Sequence, residues 1–139
     1  MTLHARVALA VVSLALWSCG GVADSRATHE LTVRVSRYGR ALSGRPVSVA
    51  MRAYETVPFT QPQNATTGPT GEAHTTFETM WGAAFVVIPP LGLIPRHPPK
   101  PVYAVTVAGK QVVVSPQTPG ATYQWQHGSW HTDVSLNIP

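Results

Sequence analysis

The feature that most constrains this chain is a series of short segments in which apolar and polar residues alternate. The clearest runs from His29 to Tyr38, where Leu31, Val33 and Val35 would lie on one face of an extended strand. Similar patterns predict strands at 47–54, 72–78, 102–107, 111–115, 122–126 and 131–138. Glycine- and proline-rich stretches separate these runs, and no segment after residue 28 has the 3.6-residue period of an amphipathic helix. We therefore expect an all-β fold, a single antiparallel β-sandwich of about seven strands over residues 29–139.

Three segments interrupt this pattern. Residues 81–88 are continuously apolar, which suits either a fully buried strand or a short buried helix. Residues 89–101 contain six of the thirteen prolines, so we expect an irregular or polyproline-like excursion there. It would either lie over one end of the core or protrude to bind a partner. Residues 56–68 are rich in Thr, Gln, Pro and Asn, and we expect a loop.

The first eighteen residues have the three zones of a secretory signal. Residues 1–6 carry positive charge without an acidic residue, residues 7–16 are apolar except for Ser13, and the small residue Ser18 precedes Cys19. The apolar run is shorter than the roughly 20 residues that a transmembrane helix needs. The alternatives are a buried helix or an N-terminal membrane anchor, but the two glycines after Cys19 would break a helix. We expect residues 1–18 to be a helical export signal and residues 19–28 a flexible tether.

The end of this signal resembles a bacterial lipobox. The residues that match are Leu16, Ser18 and Cys19, while Trp17 stands where the family usually has a small or aliphatic residue. The resemblance implies that the Cys19 thiol receives a diacylglycerol, that the signal is removed, and that the protein is held to a membrane of the cell envelope. Because Gly20 follows the cysteine, it further implies sorting to the outer membrane. Cys19 is the only cysteine, so a disulfide within the chain is excluded.

The charge distribution contains one notable cluster. The chain has ten Lys and Arg against six Asp and Glu, and charged residues make up only 12% of it. The first predicted strand and the turn after it carry Arg34, Arg37, Arg40 and Arg45. Such a patch suits anionic lipid, polysaccharide or nucleic acid, or it is simply a solvated strand face. We do not expect nucleic acid as a partner, because the chain has an export signal and no nucleic-acid-binding motif.

Histidines are the main candidates for site chemistry. His127 and His131 lie four residues apart, and a loop site formed with His29 or Asp133 would suit zinc or copper. The alternative is two half-exposed turn histidines. The zinc-protease motif fails, because it requires a glutamate where this chain has Gly128. The chain also lacks a Gly-x-Ser-x-Gly elbow, and we expect no catalytic residue and no cofactor.

Aromatic residues are the second set of candidates. Sugars can stack on tryptophan and tyrosine rings, although such rings more often fill the core or edges of a sandwich. The aromatic candidates are Trp81, Tyr123, Trp125 and Trp130.

Residues 29–115 resemble a carboxypeptidase regulatory-like, or transthyretin-like, domain. The resemblance lies in the strand 31–35, the segment Gly44-Arg-Pro-Val-Ser-Val49, the turn Thr67-Gly-Pro-Thr-Gly-Glu-Ala73 and the strand 103–107. The aspartate usual in that turn is absent. The resemblance implies a seven-stranded sandwich in a family that is mostly non-enzymatic. The family's hydroxyisourate hydrolases end in Tyr-Arg-Gly-Ser, which has no counterpart here, so that activity is not expected.

These features together predict a lipid-anchored envelope lipoprotein with a non-enzymatic binding or structural role. Its expected partners are the membrane, through Cys19, and an envelope protein or glycan. The alternative is a metal-handling lipoprotein that uses His127 and His131.

Overall fold

The computed structural model describes residues 21–53, 55–88, 92–95 and 97–139. Within these residues it contains ten β-strands and no helix, which confirms the all-β prediction. The strands are β1 (Gly21–Arg37), β2 (Arg40–Ala41), β3 (Pro46–Arg52), β4 (Gln63–Thr66), β5 (Glu72–Ile88), β6 (Gly92–Pro95), β7 (Val102–Val107), β8 (Lys110–Val114), β9 (Thr122–Gln126) and β10 (Ser129–Asn137).

The strands form two sheets. Sheet A has the order β6-β5-β1-β10-β9, with β2 paired to β1, and sheet B has the order β4-β3-β7-β8. The pairing of β1 with β10 is parallel, from Thr28 opposite Ser129 to Ser36 opposite Asn137. The expected sandwich is therefore correct, but sheet A is mixed rather than purely antiparallel. Parallel neighbours need a long connection, and here almost the whole domain lies between the two strands.

The chain divides into two compact units. The larger unit comprises Arg26–Thr79 and Pro98–Pro139. In the smaller unit, of which the structure describes residues 21–25, 80–88, 92–95 and 97, β5 and β6 form an antiparallel hairpin.

The core of the larger unit lies between the two sheets. The predicted inward faces are confirmed in β1, in β3 and, over residues 73–77, in β5, where alternate residues are buried. In β7, the buried residues are Tyr103, Ala104, Val105 and Val107. The buried apolar cluster consists of Leu31, Val33, Val35, Val47, Val49, Met51, Ala73, Phe77, Tyr103, Val105, Val107, Val114 and Val134. Burying a side chain of this size stabilises the fold by about 1.5–3 kcal/mol, so the two apolar faces hold the sheets together.

The three ambiguous segments are all partly strand. Residues 81–88 belong to β5, which removes the helical alternative. The expected loop 56–68 contains β4, which pairs with β3 over Pro46–Val49. The proline-rich excursion 89–101 contains β6, so it is not irregular throughout. A proline is tolerated at the end of this strand because β6 lies at the edge of sheet A.

The N-terminal predictions lie mostly outside the described residues. These include the signal 1–18 and Cys19. The tether was expected to reach residue 28, but β1 already begins at Gly21, and Ala27 is buried in the larger unit. Alternation predicted the strand only from His29, since the preceding residues have no clear period.

Three two-residue turns have backbone conformations of the type that suits hairpins. Their central residues are Tyr38-Gly39, Ala108-Gly109 and His127-Gly128, all with φ between 49° and 77°. Positive φ at both positions defines the type I′ turn, whose twist matches that of the flanking strands. The turns therefore fix the register of β1 with β2, β7 with β8, and β9 with β10.

Candidate functional site

The two histidines predicted as metal ligands lie at different kinds of position. His127 is an exposed residue of the turn between β9 and β10. His131 lies on the outward face of β10, where its Nδ1 is 2.7 Å from Oε2 of Glu30 on β1. The imidazole of His131 is therefore held by a carboxylate from the neighbouring strand.

His29 does not join them. It is completely buried, and its Nε2 lies 2.7 Å from Oγ1 of Thr79. Burial lowers the pKa of His29 from its ordinary value of 6.5 to about 4, because the core disfavours the charged ring. Residues 29 and 131 lie on opposite faces of sheet A, since Glu30, not His29, is opposite His131. Among the described residues, no group of three or more His, Cys, Asp or Glu side chains is placed to hold a metal ion.

The outward face of sheet A carries a row of paired charges. Nε of Arg34 lies 2.8 Å from Oε1 of Glu72, and its Nη1 lies 3.5 Å from Oδ1 of Asp133. Asp133, the fourth candidate ligand, thus faces Arg34. His74 Nδ1 and Thr32 Oγ1 are 3.0 Å apart on the same face. Arg34 is therefore paired with two carboxylates, and no such pairing is seen among the described residues for the other three arginines of the predicted patch.

Three of the four predicted aromatic residues form one cluster. The ring centroids of Trp125 and Trp130 are 5.4 Å apart, and those of Tyr123 and Trp130 are 6.4 Å apart. Trp130 is only 3% exposed, and its Nε1 donates a hydrogen bond to the Pro98 carbonyl at 3.0 Å. Tyr123 donates to the Pro101 carbonyl at 2.9 Å, and burial raises its pKa to about 12. The cluster thus holds the end of the proline-rich segment against the sandwich, and Trp130 is not an open sugar platform.

A groove of about 690 Å³ lies at the end of sheet B where β3 and β8 end and β7 begins. Val102 and Val113 contribute apolar surface, and Arg52, Glu55 and Lys100 contribute charge. The Arg52 guanidinium lies 4.8 Å from the centroid of the Phe59 ring, and Lys100 Nζ lies 5.9 Å from that of Tyr123. Both cations therefore already contact aromatic rings, and Glu55 offsets part of their charge.

The opposite end of the larger unit is more strongly basic. Arg37 and Arg40 face each other across the β1–β2 pairing. Arg45 and Lys110 reach the same end because Val47 of β3 pairs with Val107 of β7. None of these four cations forms an ion pair with a residue that the structure describes. We name this surface, consisting of Arg37, Tyr38, Arg40, Arg45 and Lys110, the basic end.

The loop that carries Arg45 is fixed by one buried threonine. Oγ1 of Thr67 accepts a hydrogen bond from the Arg45 N–H at 2.9 Å and donates one to the Leu42 carbonyl at 2.5 Å. The backbone of Thr67 makes two further bonds, to the Arg45 carbonyl and from the Gly44 N–H. Four hydrogen bonds thus hold residues 42–45 against the chain that follows β4, which gives Arg45 a defined position.

Three of the five residues of the basic end, Arg37, Arg40 and Arg45, belong to the arginine cluster predicted from the sequence. Lys110 and Tyr38 were not predicted. Lys110 joins them only through the pairing of β3 with β7, which is not visible in local sequence. The exposure of Tyr38 could have been predicted, because the sequence Arg37-Tyr-Gly-Arg40 indicates an exposed turn.

In comparisons with known proteins, no protein-family model matches the chain, and no curated protein or solved structure is significantly similar to it. Within the part of the chain that the structure describes, no helix is long and apolar enough to cross a membrane.

Proposed function

We propose that this chain is a lipid-anchored lipoprotein of the bacterial cell envelope, and that its β-sandwich is a non-enzymatic binding module. The observation that carries the proposal is the sequence Leu16-Trp-Ser-Cys19 directly after an apolar run in a chain with no other cysteine. An apolar segment followed by a small residue and one cysteine is the arrangement that lipoprotein processing requires.

The spacing between Cys19 and the folded domain supports attachment close to a bilayer. Ala27, the first buried core residue of the larger unit, follows Cys19 by eight residues. Eight residues reach at most about 29 Å, so a lipid at Cys19 would keep the sandwich near the membrane surface. Each acyl CH₂ buried in the bilayer contributes about 0.8 kcal/mol, and two or three chains together make a stable anchor.

Two features of the larger unit favour a binding role. Its histidine and arginine candidates in sheet A are engaged with neighbours: His29 with Thr79, His131 with Glu30, and Arg34 with Glu72. Its basic end, in contrast, presents four cations without ion-pair partners among the described residues. Unpaired charge of one sign attracts a partner of the opposite sign.

Gly20 after the cysteine makes the outer membrane the proposed location.

Metabolic labelling tests the proposal. The full chain is expressed in a bacterium that is fed an alkyne-bearing palmitate, and the label and the membrane fraction are followed. The wild-type protein takes up label and sediments with membranes, whereas Cys19→Ser does neither. Ser18→Ala, which keeps a small residue before the cysteine, remains labelled and controls for general damage to export. A wild-type protein without label, or a labelled Cys19→Ser, overturns the proposal.

A further inference from the structure

Tyr38 has a backbone conformation that its side chain disfavours. Its φ is 49°, in the left-handed region that costs a residue with a Cβ about 1–2 kcal/mol. The first central position of such a turn favours Asn, Asp or Gly. Tyr38 is 81% exposed, so packing of its side chain offsets little of this conformational free energy. Ala108 and His127 share this conformation, but only Tyr38 combines it with a large exposed hydrophobic side chain, which is a reason to look for function there.

The surroundings of Tyr38 indicate what the ring would contact. The Arg37 guanidinium lies 5.7 Å from the ring centroid, on one face of the ring. No contact of the other face with a described residue is seen, so that face is open to solvent. Arg40 follows directly after the turn, and Thr67 holds Arg45 in place nearby in the fold. The exposed ring of Tyr38 thus has one guanidinium against one face and a second arginine, Arg40, paired across the same turn.

We propose that the basic end binds an acidic polysaccharide, one that carries carboxylates on its sugar rings. A sugar ring stacks its C–H face on Tyr38, and its carboxylates accept hydrogen bonds from the arginines, whose planar guanidinium groups suit bidentate contacts. This inference rests on the proposed function, because export is what brings the chain into contact with such polymers.

The surface favours a polysaccharide over a protein partner. The central part of a protein interface is usually apolar, with several large hydrophobic side chains. Among the described residues of the basic end and its turns, Tyr38 is the one exposed large hydrophobic side chain, and glycines and other polar or small residues surround it. A polymer with repeated charges needs little apolar contact area and gains from several cations at once.

The position of the basic end distinguishes it from a membrane-binding patch. The chain enters the larger unit at Arg26, and Arg37 lies at the other end of the same strand, eleven residues later. At about 3.3 Å per residue these positions are roughly 35 Å apart. Within the larger unit, the basic end therefore lies at the opposite end of β1 from Arg26, where the chain arrives from Cys19.

A binding assay with matched variants tests the inference. The full acylated chain is reconstituted in phosphatidylcholine vesicles, and binding of polygalacturonate is measured at low and high salt, with neutral dextran as the reference polymer. We expect binding of polygalacturonate alone, weakened by salt because screening reduces the attraction. Arg40→Gln with Arg45→Gln weakens it at least tenfold. The control is Arg52→Gln with Lys100→Gln in the groove, which removes the same charge and leaves the affinity within twofold.

Tyr38→Asn separates recognition from folding. Because Asn suits this turn better than Tyr, the variant is expected to melt at the same temperature or higher, while its affinity for polygalacturonate falls at least fivefold. A purely structural role of Tyr38 predicts no such loss.

Four results would overturn the inference. They are no binding of polygalacturonate, an unchanged affinity of Tyr38→Asn, an equal loss in the groove control, and equal or tighter binding to phosphatidylglycerol vesicles or single-stranded DNA. The labelling experiment is independent of these outcomes. If Cys19 is not acylated, detergent-solubilised protein still reports on the basic end, and if polygalacturonate does not bind, acylation of Cys19 stands unaffected.

Discussion

At the scale of single residues, Gly71 has the most constrained position among the glycines that the structure describes. Its φ is 78°, and an added Cβ would lie 2.7 Å from the Val35 carbonyl oxygen, which is backbone and cannot rotate away. Gly120 has the same φ, but an added Cβ there meets no described atom within 4 Å. The two glycines therefore share conformational strain and differ only in the space around them.

We predict that Gly71→Ala destabilises the fold clearly more than Gly120→Ala. The shared strain costs each variant about 1–2 kcal/mol. The Cβ contact adds to this only at Gly71, where β1 has to move away from the turn. Chemical denaturation of both variants measures the difference, and equal losses of unfolding free energy would show that the close approach at Gly71 is not a real constraint.

His29 predicts a specific dependence of stability on pH. Its pKa is lowered to about 4 in the folded protein, while the unfolded chain binds a proton at about 6.5. The unfolded state thus carries more protons between these values, so the free energy of unfolding falls as the pH drops from about 6.5 to about 4, by roughly 3 kcal/mol. His29→Leu should remove this part of the slope, whereas His127→Asn, at an exposed turn, should retain it. Identical slopes for wild type and His29→Leu would contradict the assignment.

A matched pair of tyrosines tests the buried polar contacts. The Tyr103 hydroxyl is buried near that of Thr132, without hydrogen-bond geometry to any described residue, and burial raises the pKa of Tyr103. Tyr123, in contrast, bonds the Pro101 carbonyl. Since removing an unsatisfied buried group is neutral or favourable, Tyr103→Phe should change stability little or raise it, while Tyr123→Phe should lose about 1 kcal/mol. Thermal melting of the two variants would contradict this if Tyr103→Phe lost more than Tyr123→Phe.

Much of the residue-scale pattern was predictable. The alternation of apolar and polar residues identified the inward faces of β1, β3 and β5. His29 lies two residues before Leu31, so the same alternation places it on the inward face of β1. This alternation also separates His29 from His131, but only once β1 and β10 are known to pair. The version of the metal hypothesis that adds His29 to His131 combined residues from opposite faces, because that pairing is not local.

At the scale of elements, the loop 42–45 depends on Thr67. We predict that Thr67→Val destabilises the protein by about 1–3 kcal/mol, because the Arg45 N–H and the Leu42 carbonyl both lose their side-chain partner. Thr66→Val, at the exposed neighbouring position of β4, is the matched control and should change stability by no more than about 0.5 kcal/mol. Denaturant unfolding compares the two, and a Thr67→Val variant as stable as the control would show that the loop is held by other contacts.

Three strands that the sequence pattern did not predict, β2, β4 and β6, each pair with a single neighbouring strand. β4 has the sequence Gln-Asn-Ala-Thr, which has low β-propensity, and it forms because β3 offers it backbone partners and Thr60 extends the pairing to Met51. β6 ends in a proline and forms against β5 in the same way. In both cases a neighbouring strand imposes the conformation, and local composition does not reveal it.

At the scale of the whole molecule, the first and last strands lie side by side in the interior of sheet A. β1 pairs with β10, and the Ile138 N–H bonds the Ser36 carbonyl. The chain enters at one end of this pair, and the basic end lies at the other. The sandwich architecture was predictable from strand number and composition, but the mixed order of sheet A was not, because it depends on contacts more than 90 residues apart.

Attachment of the sandwich to the cell envelope depends on Cys19 being the lipid-bearing first residue of the mature protein. The most direct measurement is the intact mass of the full-length gene product purified from bacterial membranes, followed by sequencing of its N-terminal peptide. We expect a chain that starts at Cys19 and carries a diacylglycerol on the thiol. A membrane-extracted protein that still begins at Met1, or that begins at Cys19 with a free thiol, would contradict it.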